Sequence, residues 1–329
     1  MELNEIYKQD FFEGVRNLPD NSVDLIIADP PYYNIKGDFD FKLTFDEWKA
    51  MHEKMAEEFK RILKLNGSIL LYGHARNIAY QQVIFDELFF LENNLVWHKT
   101  DCQTRKNIKG YRCFAPVTER ILFYSNEFRK NNNSLNNPMY IEYMETFKPI
   151  IEYFMEEKEK IMKLKDFSTN GEFNRFMDKY TGSTTAARHH FSWSQWTFPS
   201  EKTYAKLQKI GSGVLEKEYP LFRKHYEELK KQFESSRRYF INSEHTDVLF
   251  FSQESHITRK YNHPTQKPPK LTKMLIETTT KPESLVLVPF AGSGVECASC
   301  KELERNFIGF EIDENYFKIA KNRVNDVIL

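Results

Sequence analysis

No run of apolar residues in this sequence approaches the roughly 20 that a membrane-spanning helix needs. Cysteine is scarce, with four in 329 residues, too few for a disulfide scaffold. Neither sign of charge is in surplus, because 47 Lys and Arg face 47 Asp and Glu. A nucleic-acid binder is often basic overall, so this balance weighs mildly against that class. It does not exclude it, since the local field over a binding face is what attracts phosphate. The opening Met1-Glu2-Leu3-Asn4-Glu5 is acidic and polar and has no charged-then-apolar leader pattern, so the expected location is cytoplasmic.

What is present describes an ordinary globular chain of one large or two medium domains, 40% hydrophobic and 29% charged. Aromatics are abundant at 15%. Most must be core, and a surplus also suits stacking on nucleic-acid bases.

Residues 1–125 read as alternating strands and helices. Val23–Ala28 is an apolar strand that runs into Asp29-Pro30-Pro31. Residues 45–64 carry apolar side chains at helical spacing (Phe45, Trp48, Met51, Met55, Phe59, Ile62, Leu63), and Asn66-Gly67 is expected to end that helix. Strands follow at Ser68–Tyr72, Asn94–His98 and Arg120–Tyr124. The composition then shifts. Residues 126–244 read as a helical, charged insert with helices near 141–165, 171–180, 184–190, 200–210 and 219–236. Pro149 is expected to kink or split the first of them. Alternation resumes over 245–329, with a strand at 247–251, a helix over 268–280, a strand Ser284–Val288, a glycine turn, a helix over 295–304, a strand Asn306–Phe310 and a closing helix over 313–326. The pattern predicts an α/β fold, a doubly wound, mostly parallel sheet with an inserted helical domain.

The sharpest chemical signal is Asp29-Pro30-Pro31-Tyr32 directly after an apolar strand. Strand ends are where doubly wound folds place their sites. Neither proline has an N–H, so the turn leaves the Asp29 carboxylate and a backbone carbonyl, that of Pro30, as outward acceptors. Two acceptors match an amino group with two N–H donors. Accepting both protons localises the amine lone pair and aims it at an electrophilic methyl, with Tyr32 stacking on the base. The plain alternative is an Asp-Pro turn with no chemistry.

The second signal is Leu285–Val288 running into Pro289-Phe290-Ala291-Gly292-Ser293-Gly294. Glycines here let the backbone approach a ligand, and the following helix N-terminus favours an anionic group. The next strand ends at Glu311, an acid placed to accept hydrogen bonds from ribose hydroxyls. A tight turn beside a surface Glu is the plain alternative.

In this order, the chain resembles the beta class of amino DNA methyltransferases, in which a DPPY motif comes first, a target-recognition region follows and an FxGxG cofactor motif comes last. His263-Pro264-Thr265-Gln266-Lys267-Pro268 and Leu18–Leu25 also resemble family segments. The resemblance covers about 1–125 and 245–329. It implies a permuted Rossmann-like methyltransferase fold, S-adenosyl-L-methionine as cofactor and base flipping. The implied activity is methylation of an exocyclic amine in duplex DNA, with Asp before Pro-Pro-Tyr leaning toward adenine N6. It places Asp10, Asp29, Thr265, Gln266, Lys267, Phe290, Ala291, Gly292, Ser293, Gly294 and Glu311 at the cofactor, and Asp29, Pro30, Pro31 and Tyr32 at the reacting base. A cognate restriction endonuclease remains an open partner, and the chain is expected as a monomer or homodimer. Two positions depart from the family pattern: Val288 stands where an acid is usual, and Val295 where Thr is usual. The alternatives are an N4-cytosine enzyme, an amine methyltransferase acting on RNA or protein, and an inactive DNA-binding relative.

For DNA contacts, Lys99, Arg105, Lys106, Lys109 and Arg112 form a basic run expected to grip phosphate, with a solvated loop as the alternative. Within the insert, Ala186–Trp196 is the preferred recognition segment, through Arg188, His189, Ser192 and Gln195, with the small Ala residues permitting close approach in a groove. The alternative makes Phe191, Trp193 and Trp196 simply core. Cys297-x-x-Cys300 has metal-ligand spacing, but Cys102 and Cys113 lie far off and do not form a second such pair, so buried helix residues are favoured and no metal is expected.

Overall fold

A computed structural model describes residues 1–33, 43–101, 112, 114–126, 138–193, 195–241, 244–253, 261 and 266–328. The chain divides into two compact units, Met1–Phe128 with Arg238–Leu329, and Arg129–Arg237.

The first unit is built on one eight-stranded sheet. Its strands are β1 (Glu5–Lys8), β2 (Val23–Ala28), β3 (Leu63–Gly73), β4 (Phe90–Lys99), β5 (Thr118–Ser125), β6 (Val248–Phe251), β7 (Leu285–Val288) and β8 (Asn306–Glu311). They lie in the order β1-β8-β7-β2-β3-β5-β4-β6. All pairs are parallel except those of β5, which runs antiparallel to both β3 and β4.

Side chains on the central strands alternate between two apolar cores. Leu25, Ile27, Leu70, Tyr72, Val286 and Val288 enter one; Ile26, Ala28, Ile69, Leu71 and Leu287 enter the other. Both faces of the sheet are therefore covered, which is why β2 and β7 read as unbroken apolar runs. The first core is closed by α9 (Pro269–Thr279), α10 (Val295–Glu302) and α11 (Glu314–Asn325). The second is closed by α1 (Phe11–Gly14), α2 (Phe45–Ile62) and α3 (Ile78–Asp86). Helix α2 begins on a capping box in which Thr44 and Glu47 satisfy each other's backbone N–H groups.

Three local expectations change. Helix α2 stops at Ile62, and Asn66-Gly67 lies inside β3, because Leu63 already pairs with Val23 and the ladder captures the chain before the turn signal. The sequence pattern singles out neither β1 nor α3, the second change. The third concerns Pro149 in the second unit, below.

The second unit contains α4 (Pro138–Leu164), α5 (Asn170–Thr181), α6 (Ala186–His190), α7 (Glu201–Gln208) and α8 (Tyr219–Ser236). Its core is aromatic, with Phe147, Phe154, Phe173, Phe191, Trp196, Tyr204, Phe222 and Phe233 buried together. Pro149 does not split α4. It removes one backbone donor, while Phe147, Ile150, Ile151 and Phe154 around it are buried and hold the helix through that point. Phe191 and Trp196 are core residues, whereas Trp193 is 41% exposed.

Asp24 ties the centre of the sheet across three strands. Its carboxylate pairs with Lys64 Nζ at 2.8 Å and accepts the Leu285 N–H at 2.9 Å. Replacing Asp24 with Ala leaves that N–H and the Lys64 ammonium without their partner. A loss of about 1–3 kcal/mol in urea unfolding, at an unchanged denaturant slope, is expected. A loss below about 0.5 kcal/mol would show that the ladder holds its register without this side chain.

Candidate active site at the carboxyl edge of the sheet

Four adjacent strands, β1, β8, β7 and β2, run in parallel, so their carboxyl ends share one edge. That edge carries Asp10 after β1, Glu311 at the end of β8, the glycine turn after β7 and Asp29 after β2. Residues far apart in the chain thus converge where doubly wound sheets bind ligands.

The turn after β2 is held from behind. Trp48 Nε1 donates to the Pro31 carbonyl at 2.8 Å. The Asn77 amide donates to the carbonyls of Tyr32 and Tyr33. Tyr33 is held at φ +55°, a costly conformation for a non-glycine residue, and its ring packs against Phe45 and Trp48. His52 backs up Trp48: Nδ1 lies 2.9 Å from the Trp48 carbonyl and Nε2 lies 3.0 Å from the Gln81 amide. The neutral tautomer with a proton on Nδ1 satisfies both contacts, and burial pushes the imidazole down to about 4. Among the described residues, no hydrogen bond reaches the Pro30 carbonyl.

Asp29 keeps 21% of its side chain exposed and sits at the mouth of a buried charge array. Tyr32 Oη donates to Asp29 Oδ1 at 2.6 Å. Lys267 Nζ reaches Asp29 Oδ2 at 2.7 Å and donates to Tyr32 Oη at 2.9 Å. The Lys267 ammonium is also 3.4 Å from Glu119 Oε2, and Glu119 Oε1 pairs with Lys99 Nζ at 2.6 Å. Burial disfavours the charge on Lys267, but Asp29 and Glu119 more than offset it, and its pKa is raised.

Several sequence-based roles change here. Tyr32 is 5% exposed and its ring belongs to the core, so it is not an open stacking platform; its hydroxyl binds Asp29 instead. Lys267, expected at the cofactor, is 2% exposed and spends its donors on Asp29 and Tyr32. Lys99, expected on phosphate, is the last residue of β4, 7% exposed and ion-paired with Glu119. The basic run read as a loop cation, whereas the ladder extends through Lys99 and turns its ammonium inward. Arg105, Lys106, Lys109 and Thr265 lie outside the described residues.

In the glycine turn, Gly292 (φ +49°) donates its N–H to Glu311 Oε2 at 2.7 Å. Glu311 Oε1 accepts the Asp313 N–H. Burial raises the Glu311 carboxyl above its ordinary range. Ala291 is buried and its N–H bonds the Phe310 carbonyl. Phe290 packs on Phe11, and Asp10 caps α1 through the Phe12 N–H at 2.8 Å. Ser293 is buried against Arg323, which donates to its hydroxyl at 3.0 Å. Gly294 (φ +72°) is needed for a different reason than ligand approach: a Cβ there would lie 2.7 Å from the Ala320 Cα of α11. Gln266 is buried at 7% exposure.

Glu296, in the first turn of α10, is with Asp29 a candidate to replace the carboxylate missing at Val288. It is 5% exposed, and burial first, then the neighbouring Asp29 charge, pushes its carboxyl up to about 7. Val288 and Val295 are both buried core residues. Cys297 and Cys300 face the same core from α10, with burial pushing both thiols up.

In the second unit, Arg188 and Gln195 are exposed and His189 and Ser192 half-buried. Ser192 Oγ donates to the Arg188 carbonyl and Thr197 N–H to the His189 carbonyl. Ala186 and Ala187 are buried, so they face the unit's own core rather than a groove.

Because its folded pKa of about 7 lies above the ordinary 4.5, Glu296 favours the fold when protonated. That contribution is complete below pH 4.5 and is lost as pH rises through about 7. Glu296→Gln should therefore flatten this part of the stability profile and raise the melting temperature above pH 7, with an upper bound of about 3 kcal/mol. Melting curves from pH 5 to pH 8, about the range of maximal protein stability, test this; an unchanged pH dependence would place the titration elsewhere.

Comparison with known proteins agrees with this architecture. The profile of the DNA methylase family N6_N4_Mtase matches residues 23–322. The type II methyltransferase M.HinfI of Haemophilus influenzae is 26% identical, over 99% of this chain and 69% of its own length. The type II methyltransferase M2.DpnII of Streptococcus pneumoniae is 24% identical, over 96% of this chain and 87% of its own. Among solved structures, M1.HpyAVI in complex with SAM superposes with a TM-score of 0.52 at 21% identity, covering 98% of both chains. The cytosine-N4-specific PvuII DNA methyltransferase gives 0.53 at 15% identity, covering 98% of this chain and 88% of its own. With a family profile spanning nearly the whole chain and the same fold in solved methyltransferases, the protein belongs to the N6_N4_Mtase family of DNA methylases, which take their methyl group from S-adenosylmethionine.

Proposed function

We propose that this protein methylates N6 of adenine within a specific sequence of duplex DNA. The observation that carries the reading is the turn after β2: the carbonyls of Pro31, Tyr32 and Tyr33 are all occupied from behind, while the Pro30 carbonyl receives no hydrogen bond among the described residues and Asp29 stays part-exposed. A carboxylate and a carbonyl are the two acceptors an exocyclic amine needs.

The residues along the edge suit a cationic cofactor. Asp29, Glu296 and Glu311 are carboxyl groups on three neighbouring elements, and among the described residues the buried Tyr72 hydroxyl has no hydrogen-bond partner. Glu296, in the first turn of the helix that follows the glycine turn, offers a carboxyl in place of the acid that the family pattern has at Val288. S-adenosylmethionine supplies an electrophilic methyl on a sulfonium. Asp29 and the Pro30 carbonyl accept hydrogen bonds from the two amine N–H groups, so the nitrogen lone pair points out of the base plane. The bound cofactor would supply its methyl to that pair, the S–C bonding electrons remaining on sulfur. The amine then gives up one proton, to water or to Asp29. Tyr32 and Lys267 fix the carboxylate from the protein side. The base must leave the helix stack to reach this edge.

Unit 129–237 is the proposed target-recognition module, with exposed Arg188 and Gln195, and with His189 and Ser192 beside them, reading base edges. The basic residues Arg105, Lys106 and Lys109 would hold phosphate. Relatives named as type II methyltransferases support site specificity; a companion endonuclease for the same site is part of the proposal.

Incubation with labelled S-adenosylmethionine and unmethylated duplex DNA, with product nucleosides resolved by mass, should yield N6-methyladenine. N4-methylcytosine would move the target atom; no incorporation into DNA would sink the reading. Asp29→Ala should lower kcat by about 10²-fold or more, per cofactor-binding site counted by equilibrium titration. Full activity in that variant would refute the role of Asp29.

A further inference from the structure

Glu119 belongs to no motif, yet it is 2% exposed and stands between two lysines. It is the second residue of β5, and β5 is the strand that runs against its neighbours. That reversal brings the amino end of β5 to the edge where the parallel strands have their carboxyl ends. Glu119 pairs directly across from Trp97 on β4, beside Lys99. One carboxylate oxygen holds Lys99 at 2.6 Å; the other faces Lys267 at 3.4 Å. Lys267 in turn contacts Asp29 at 2.7 Å.

We propose that Glu119 is a positioning residue for Asp29, acting through Lys267, with Lys99 as its counter-ion. A lysine ammonium is a point charge on a flexible four-carbon stem, so a single carboxylate fixes its place poorly. Glu119 gives Lys267 a second carboxylate contact besides Asp29. With Tyr32 Oη as the third contact and the ring faces of Tyr32 and Tyr72 at 5.2 and 4.7 Å, the ammonium has one location, and so does Asp29 Oδ2. The four side chains alternate in sign, Asp29, Lys267, Glu119, Lys99, and sum to zero. Lys99, at 2.6 Å, offsets part of the cost of burying the Glu119 charge.

This role rests on Asp29 orienting the amine, and the test separates the two. Glu119→Gln keeps shape and removes charge. It should lower kcat about tenfold or more, per cofactor-binding site counted by equilibrium titration, while cofactor affinity stays within about twofold. Glu119→Asp should recover part of the rate. The double variant Lys99→Met/Glu119→Gln restores buried neutrality, so it should regain melting temperature but not kcat. Parent-like kcat in Glu119→Gln, or a rate that returns together with stability in the double variant, overturns the positioning role and leaves Asp29 untouched. An unmodified protein that transfers no methyl group to DNA overturns the role of Asp29 first, and this one with it.

Discussion

The parallel pairing of β2 with β7 is the constraint on which the rest of the molecule depends. Leu25 pairs with Val286 and Ile26 with Leu287, so the two strands end together. Asp29 and the glycine turn, which stand near opposite ends of the chain, therefore emerge side by side. Asp24 reinforces the register by reaching Lys64 and the Leu285 N–H at once. A slip of one residue would swap the two apolar cores and turn both motifs away from the edge.

The same edge explains why charge is buried in an otherwise apolar interior. Taking Glu119, Lys99 and Lys267 out of water costs several kcal/mol per ion, and apolar residues of similar volume would often be as stable. The retained charges are arranged in alternating sign and end at the one member that reaches solvent, Asp29. Glu296 carries the opposite logic: its burial beside Asp29 favours the protonated form, which leaves a carboxyl whose charge responds to a cationic neighbour. The antiparallel β5 is what supplies Glu119 to this edge; a parallel strand would have delivered its amino end to the other side.

The second unit solves a separate problem. Its helices bury a cluster of aromatic rings, with Glu157 at 1% exposure accepting the Leu215 N–H and pairing with Lys160. Ala187, Phe191 and Trp196 serve that core, while Arg188 and Gln195 of the same segment are exposed.

The sequence alone determined the strands and helices with strong apolar periodicity, the placement of Asp29 and Glu311 at strand ends, the glycine turn, and the order of motifs that matches the family. Those features are local: they follow from which side chains alternate and where backbone donors are missing. Only the tertiary structure decided that Lys99 pairs with Glu119, that Lys267 serves Asp29, that Tyr32 is walled in and that Gly294 makes room for α11. Each of these depends on which strand lies beside which and in what direction. A lysine at the end of a strand has the same local sequence signature whether its neighbour is water or a carboxylate delivered by a reversed strand, and the physical difference between those two surroundings is set by topology.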